Sequence, residues 1–510
     1  MKCGTSQGRM SSSGMLIREN PTGENPQFDL GKNPHHRSST GVFASQDPDA
    51  DLVPPSNADP SYWRNEVVRS DASHTTPVDL NSLFWGFENP LGDLPFDNWF
   101  TAEPLDIPFA FSGDPNGDLQ VRLNVLVSEL RRLEQDVCSR YRNVRLTTPT
   151  ETDYANLFTA ASFLELVSAF FQRIHWQWPI LHRPTFDLHK ACLPLLLSIA
   201  LSGAAYSRPD DTTAEYAASA EAFHSIAETY IFHHLDNVVA APDTRDLPSD
   251  SAIEACQAAL ILEFVLLSMN NREMRRRMLT KNHPSLVAVI RTMGFSRIQQ
   301  HAHSVDMPTW DSFIRHESLV RAVTWLFLQD SVLTLFCNQP PCMAISEMVS
   351  DLPCDEELWV AESEAEFEPK RQQMERLEDW QPRSIRQLVT WLLDDHEWKG
   401  QQTATYRRSH SLQPVLLSLR TTMLGPTCSS AVMRALQRWK ALWDDAVEAL
   451  TSSRKKAPGT VKTATELARL ATKIVEVGGR AEAMRDSPYL QGTPREDTAD
   501  IHEFIRKYMN

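Results

Sequence analysis

From Asp118 onward, apolar residues return every three or four positions and almost never every second one. That spacing puts one apolar stripe on a helix and cannot cover one face of a strand, so it restricts the chain to helical architectures. The stretch "LQVRLNVLVSELRRLEQDV" shows it plainly, with Leu119, Leu123, Leu126, Leu130, Leu133 and Val137 in register. It reads as an amphipathic helix on a core or as a short coiled-coil seam. A second apolar face runs through Phe163, Leu164, Val167, Phe170, Phe171 and Ile174, and Pro179 and Pro184 stop that helix. Further helices are expected over Leu188–Tyr206 and near 217–236, 250–270, 282–293, 310–337, 382–398, 431–451, 462–477 and 496–508. No βαβ rhythm and no hairpin signal interrupts them, so the fold class expected is all-α.

The periodicity fails before residue 118, and composition says why. Thirteen of the 32 prolines, ten of the 18 glycines and 16 acidic against 7 basic side chains lie there. Such a segment has too little apolar surface to offset the entropy of ordering, so residues 1–117 are expected to be largely disordered. Residues 118–365 form the expected regulatory domain and residues 366–510 its helical extension. Within the tail, residues 77–113 carry six carboxylates, no Lys or Arg, and the aromatics Phe84, Trp85, Phe87, Phe96, Trp99, Phe100, Phe109 and Phe111. Acidity keeps such a chain solvated while the rings stay available to a groove. That is the composition of an activation segment contacting a coactivator or the transcription machinery. The same rings are equally suited to docking on the chain's own helices.

Net charge is −16, which opposes binding to a phosphate backbone by the chain's own surface. Eight cysteines, Cys3, Cys138, Cys192, Cys256, Cys337, Cys342, Cys354 and Cys428, show no CxxC spacing. They read as reduced thiols of an intracellular chain. The two most apolar runs are 14 residues each, short of the roughly 20 needed to span a bilayer, so no membrane is expected as a partner.

The stretch "FFQRIHWQWPILHRPTF", Phe170 to Phe186, poses the sharpest choice of function. His175 and His182 lack the companion ligands of a zinc site. No nucleophile–base motif, Gly-rich loop or HExxH supports an enzyme. No catalytic, cofactor-binding or metal residue is therefore assigned. The packing reading explains more, with Trp176 and Trp178 bracketing the helix exit while Ile180, Leu181 and Phe186 return to the core.

That stretch, followed by "PLLLSIALSGAAYS", resembles the opening of the fungal-specific transcription factor domain, also called the middle homology region. "QAALILEFVLLSMNNREMRRRMLTKNHPSLVAVIRTMGFSR" resembles its next helical pair, and "WDSFIRHESLVRAVTWLFLQDSVLTLFCNQPPCMAISEMVSDLPCDEELWVA" its signature segment. The resemblance covers roughly residues 155–365 and marks His175, Pro179, His182, Pro184, Phe186, Trp310, Glu317, Arg321, Asp330, Pro341 and Trp359 as its structural signature. The variant most resembles the domain paired with two-Cys, two-His zinc fingers. The resemblance implies a nuclear regulator of a filamentous fungus, controlling a metabolic gene set such as a secondary-metabolite cluster. Zinc is implied only with a finger module, and the first 118 residues, with Cys3 alone, cannot form one. DNA would then be reached through such a module missing from this sequence, or through a partner protein, including a second copy or a relative in a homo- or heterodimer. The alternatives are a non-DNA-binding cofactor or inhibitor of a full-length relative and, least supported, an enzyme of unknown reaction. Import signals are sought in "REMRRR" (Arg272–Arg277), which reads as a solvated helix face, and "RKK" (Arg454–Lys456), the better candidate.

Within the signature segment, Leu319, Ala322, Val323, Leu326 and Phe327 make a core stripe that Asp330 continues. Asp330 is thus expected to be enclosed and paired, with Arg183 or Arg321 as donor. Glu317 and Arg321, at i and i+4, are expected to form a solvated pair.

Overall fold

A computed structural model describes residues 115–140, 148–175, 179–205, 214–240, 248–268, 271–299, 309–375, 384–394, 429–452 and 460–509. The tail with its activation segment, Trp176, Trp178 and the basic run 454–456 lie outside the described residues. All described residues fall within the one unit Thr76–Asn510. Among them there is no strand, and a single bridge joins Asp351 to Ser384. The protein is all-α.

The first helices are α1 (Pro115–Arg140), α2 (Glu151–Leu157), α3 (Ala160–Phe170), α4 (Leu193–Ala205), α5 (Ala214–Ala240) and α6 (Asp250–Ser268). Thr150 and Asp153 form a capping box at α2, and Thr159 caps α3, each accepting from an N–H that the first turn leaves unpaired. α1 buries Leu119, Leu123, Leu126 and Leu130 and leaves Val121 and Val125 exposed. Its Gln120 spans the α2–α3 junction, donating to Phe158 O (3.0 Å) and accepting from Ala160 N (2.8 Å).

α4 is the centre of this half. It packs against α3, α5 and α6, and every residue from Pro194 to Ala204 is buried. It begins at Leu193, five residues later than the apolar run predicts, because Pro194 is tolerated only in a first turn. Gly203 is required there: a Cβ would lie 2.1 Å from the carbonyl oxygen of Leu166 on α3. α3 continues as a π-helical turn, Phe171–His175.

The chain proceeds through α7 (Arg272–Arg277), a second π-helical turn, α8 (His283–Thr292) and the long α9 (Trp310–Cys337). Thr309 caps α9, and Asn338, at φ 51°, ends it in the left-handed conformation that Asn tolerates best after Gly. α9 is long and apolar enough to cross a bilayer, beyond what the 14-residue runs suggested. Its whole apolar window is enclosed by protein, which makes it a core helix.

Then follow α10 (Glu356–Trp359), α11 (Glu364–Glu375), α12 (Ile385–Leu393), α13 (Ser429–Ser452), α14 (Thr460–Gly478), α15 (Ala481–Asp486) and α16 (Ala499–Tyr508). α11 was not expected from the sequence; it holds a proline, Pro369, and buries little beyond Phe367 and Arg371. α12, α13 and α14 pack in succession. The C-terminal segment closes the end of α9: Tyr489 Oη donates to Leu335 O (2.8 Å), Arg495 N to Cys337 O (2.8 Å), and Asn338 Nδ2 to Tyr489 O (3.1 Å). The first two satisfy carbonyls that the α9 C-terminus leaves without partners.

Candidate functional site

The corner between α3 and α4 is built by packing. His175 Nε2 donates to Leu181 O at 2.8 Å, and its ring lies 4.9 Å from Phe171, which meets Phe186 at 5.2 Å. Gln257 of α6 donates to Ile180 O (2.8 Å). His182 lies between two indoles, 4.8 Å from Trp359 and 5.9 Å from Trp310, with Nδ1 2.8 Å from Thr185 Oγ1. Burial pushes both imidazoles down to about 4, so at neutral pH they pack as uncharged rings. Pro184 is exposed in the one-turn helix Arg183–Thr185. The structure thus places His175, Pro179, His182, Pro184 and Phe186 in one loop against the start of α9.

Arg321 fastens that loop to α9. Its guanidinium is buried and donates to Glu317 Oε1 (2.7 Å), Pro179 O (3.0 Å) and Glu356 Oε2 (3.1 Å), while its Cζ lies 4.5 Å from the centre of the Trp359 ring. Glu317 Oε1 also accepts from Cys354 N at 2.9 Å. The expectation of a solvated Glu317–Arg321 pair is overturned: the side chains are 2% and 1% exposed. Helical spacing showed that the two meet but not what covers them. Trp359 and the loop containing Cys354 come from more than thirty residues further on. Burial by itself would lower the Arg321 pKa, but the carboxylates of Glu356 and Glu317 outweigh it and raise it.

Two turns along, α9 carries the second cluster. Asp330 is enclosed, and its donors are neither Arg183 nor Arg321. Oδ1 accepts from Cys342 N (2.9 Å) and His283 Nε2 (3.1 Å), and Oδ2 from Met343 N (2.9 Å). Arg321 is committed to the corner instead. Pro340 and Pro341, which is exposed, have no N–H to give. The first amides after them are the two that Asp330 binds.

His283, at the start of α8, reaches Asp330 on one side and Glu263 of α6 on the other, with Nδ1 3.1 Å from Glu263 Oε2. Gln329 Nε2 also donates to that oxygen (3.0 Å). Burial opposes charge on the imidazole, but Glu263 and Asp330 prevail and raise it to about 9. The ring is an imidazolium with both protons engaged, so it has no lone pair to act as a base. Burial in turn pushes the Glu263 carboxyl up.

His283 was missed in the sequence because nothing local distinguishes it. Glu263 did leave a signal, as the one carboxylate inside the apolar run "CQAALILEFVLLSM". The two clusters join α6, α8, α9, the α3–α4 corner and the 338–359 segment.

Residues 167–397 match the model of the fungal specific transcription factor domain. The chain is 27% identical over 278 residues to "Transcription factor verF" of Penicillium polonicum, a match covering 52% of this chain and 36% of that protein. It is 23% identical over 221 residues to "Zinc finger protein zas1" of Schizosaccharomyces pombe, covering 42% of this chain and 23% of that protein. The matches therefore span only about a third and a quarter of those relatives' lengths. No solved structure matches the chain. Both ion clusters fall inside residues 167–397, the part of the chain that matches the fungal specific transcription factor domain.

Proposed function

We propose that this chain is a nuclear transcriptional regulator and not an enzyme. Its helical region is the regulatory and interaction module, and residues 77–113 contact a coactivator or the transcription machinery. The observation that carries this reading is the family match at residues 167–397, and the similarity to a transcription factor of Penicillium polonicum agrees with it. DNA is reached through a zinc module or through a partner protein, and the genes controlled are a metabolic set, with a secondary-metabolite cluster the favoured kind. A second reading, a non-DNA-binding cofactor or inhibitor of a relative, is favoured by the net charge of −16, which opposes contact with phosphates.

The activation role is tested by fusing residues 77–113 to a foreign DNA-binding domain upstream of a reporter. The fusion is expected to activate, and Ala at Trp85, Phe87, Trp99 and Phe100 together to remove most of that activity with the charge unchanged. A fusion that does not activate removes the activator role. An Ala variant as active as its parent assigns the effect to acidity alone.

A further inference from the structure

The line Glu263–His283–Asp330 ends at a thiol. His283 Nε2, an Asp330 carboxylate oxygen and Cys342 Sγ all lie within 4.8 Å of one another. We propose that these three groups form a binding site for a divalent cation of the zinc class, with Glu263 orienting His283 from behind.

The donor set suits such a cation: one imidazole nitrogen, one carboxylate oxygen and one thiolate, with a fourth position left for water. Tetrahedral zinc with bonds of about 2.0–2.3 Å keeps its ligand atoms roughly 3.3–3.8 Å apart. The three atoms are therefore within about 1.5 Å of a bound arrangement.

His283 is already held as a zinc-binding histidine is held, by a carboxylate on its far nitrogen. Glu263 Oε2 is 3.1 Å from Nδ1, and Gln329 Nε2 fixes that carboxylate. The tautomer this favours presents the Nε2 lone pair toward Asp330. Two acceptors facing each other at 3.1 Å need a cation between them. A proton fills that role in the metal-free cluster, and a metal ion can replace it.

The charge balances. Without metal, one proton lies between His283 Nε2 and Asp330 Oδ1 and another on the Cys342 thiol. Binding one divalent cation releases one proton from His283 Nε2 and one from Cys342 Sγ and leaves the net charge unchanged. Asp330 keeps its bonds from the Cys342 and Met343 amides, so the loop need not open. Glu263 Oε1, buried and without a hydrogen-bond partner, marks a cluster that is still short of donors. Cys342 is partly exposed beside the exposed Pro340 and Pro341, which gives the ion an entry from the loop side. The spacing along the chain hid the site: the ligands lie 47 and 12 residues apart.

The test is a cobalt titration of the full chain stripped of metal. One equivalent of Co²⁺ is expected to give a thiolate-to-cobalt charge-transfer band that Zn²⁺ abolishes. The band should be lost in Cys342→Ala and kept in Cys354→Ala. In the unaltered chain, Zn²⁺ but not Mg²⁺ should protect Cys342 from alkylation, mapped by mass spectrometry, which decides the matter even if Cys342→Ala does not fold. Absence of the band, its survival in a folded Cys342→Ala variant, or alkylation of Cys342 unaffected by Zn²⁺ would each overturn the proposal.

Discussion

Asp330→Ala is expected to destabilise the helical region by about 3–5 kcal/mol, the usual cost of removing one partner from a buried ion pair. The substitution strips the acceptor from Cys342 N, Met343 N and His283 Nε2 at once. Each buried donor left unpaired costs about 1–3 kcal/mol. The imidazolium would be left with Glu263 alone. Asp330→Asn should fall between Ala and the unaltered chain, because its one remaining carbonyl oxygen can serve only part of the donor set. Urea unfolding at neutral pH, followed by circular dichroism, measures this. A loss for Ala below about 0.5 kcal/mol, typical of a surface position, would mean that the cluster does not form.

Glu317→Ala is expected to cost a similar amount, about 3–5 kcal/mol, although helical spacing alone values the pair at a few tenths. Burial decides between the two figures. Without Glu317 the enclosed guanidinium keeps only the half-exposed Glu356 as counter-ion, and Cys354 N loses its acceptor. The natural control is Lys440→Ala, which breaks an i, i+4 pair with Asp444 whose side chains are both 57% exposed. It should change stability by less than about 0.5 kcal/mol. Equal small effects for Glu317 and Lys440 would contradict the enclosed geometry.

The contrast between these residues shows what was legible in the sequence. Helix positions follow from local spacing, so α5, α6, α8, α9, α12, α13, α14 and α16 lie close to where periodicity puts them. Starts set by proline were misjudged, as at Leu193, because the apolar run continues upstream of the residue that limits the helix. Asp330 was legible as an enclosed carboxylate, since its phase on α9 follows from its neighbours. Its partners were not. His283 lies 47 residues away and two of the donors are backbone amides, which no side-chain pattern announces. Glu317 shows the same limit. An i, i+4 pair reads alike whether water or Trp359 lies over it, and Trp359 arrives only through tertiary folding.

Two buried carboxylates on α9, Glu317 and Asp330, strap the segment after the helix to the core. Hydrogen exchange of the amides of Cys342, Met343 and Cys354 tests it most directly, because those N–H groups bond to the two carboxylates and to nothing in a regular helix. All three are expected to exchange only through global unfolding, with the same protection as the centre of α9. Exchange of these amides as fast as that of exposed loop amides, while α9 stays protected, would contradict it.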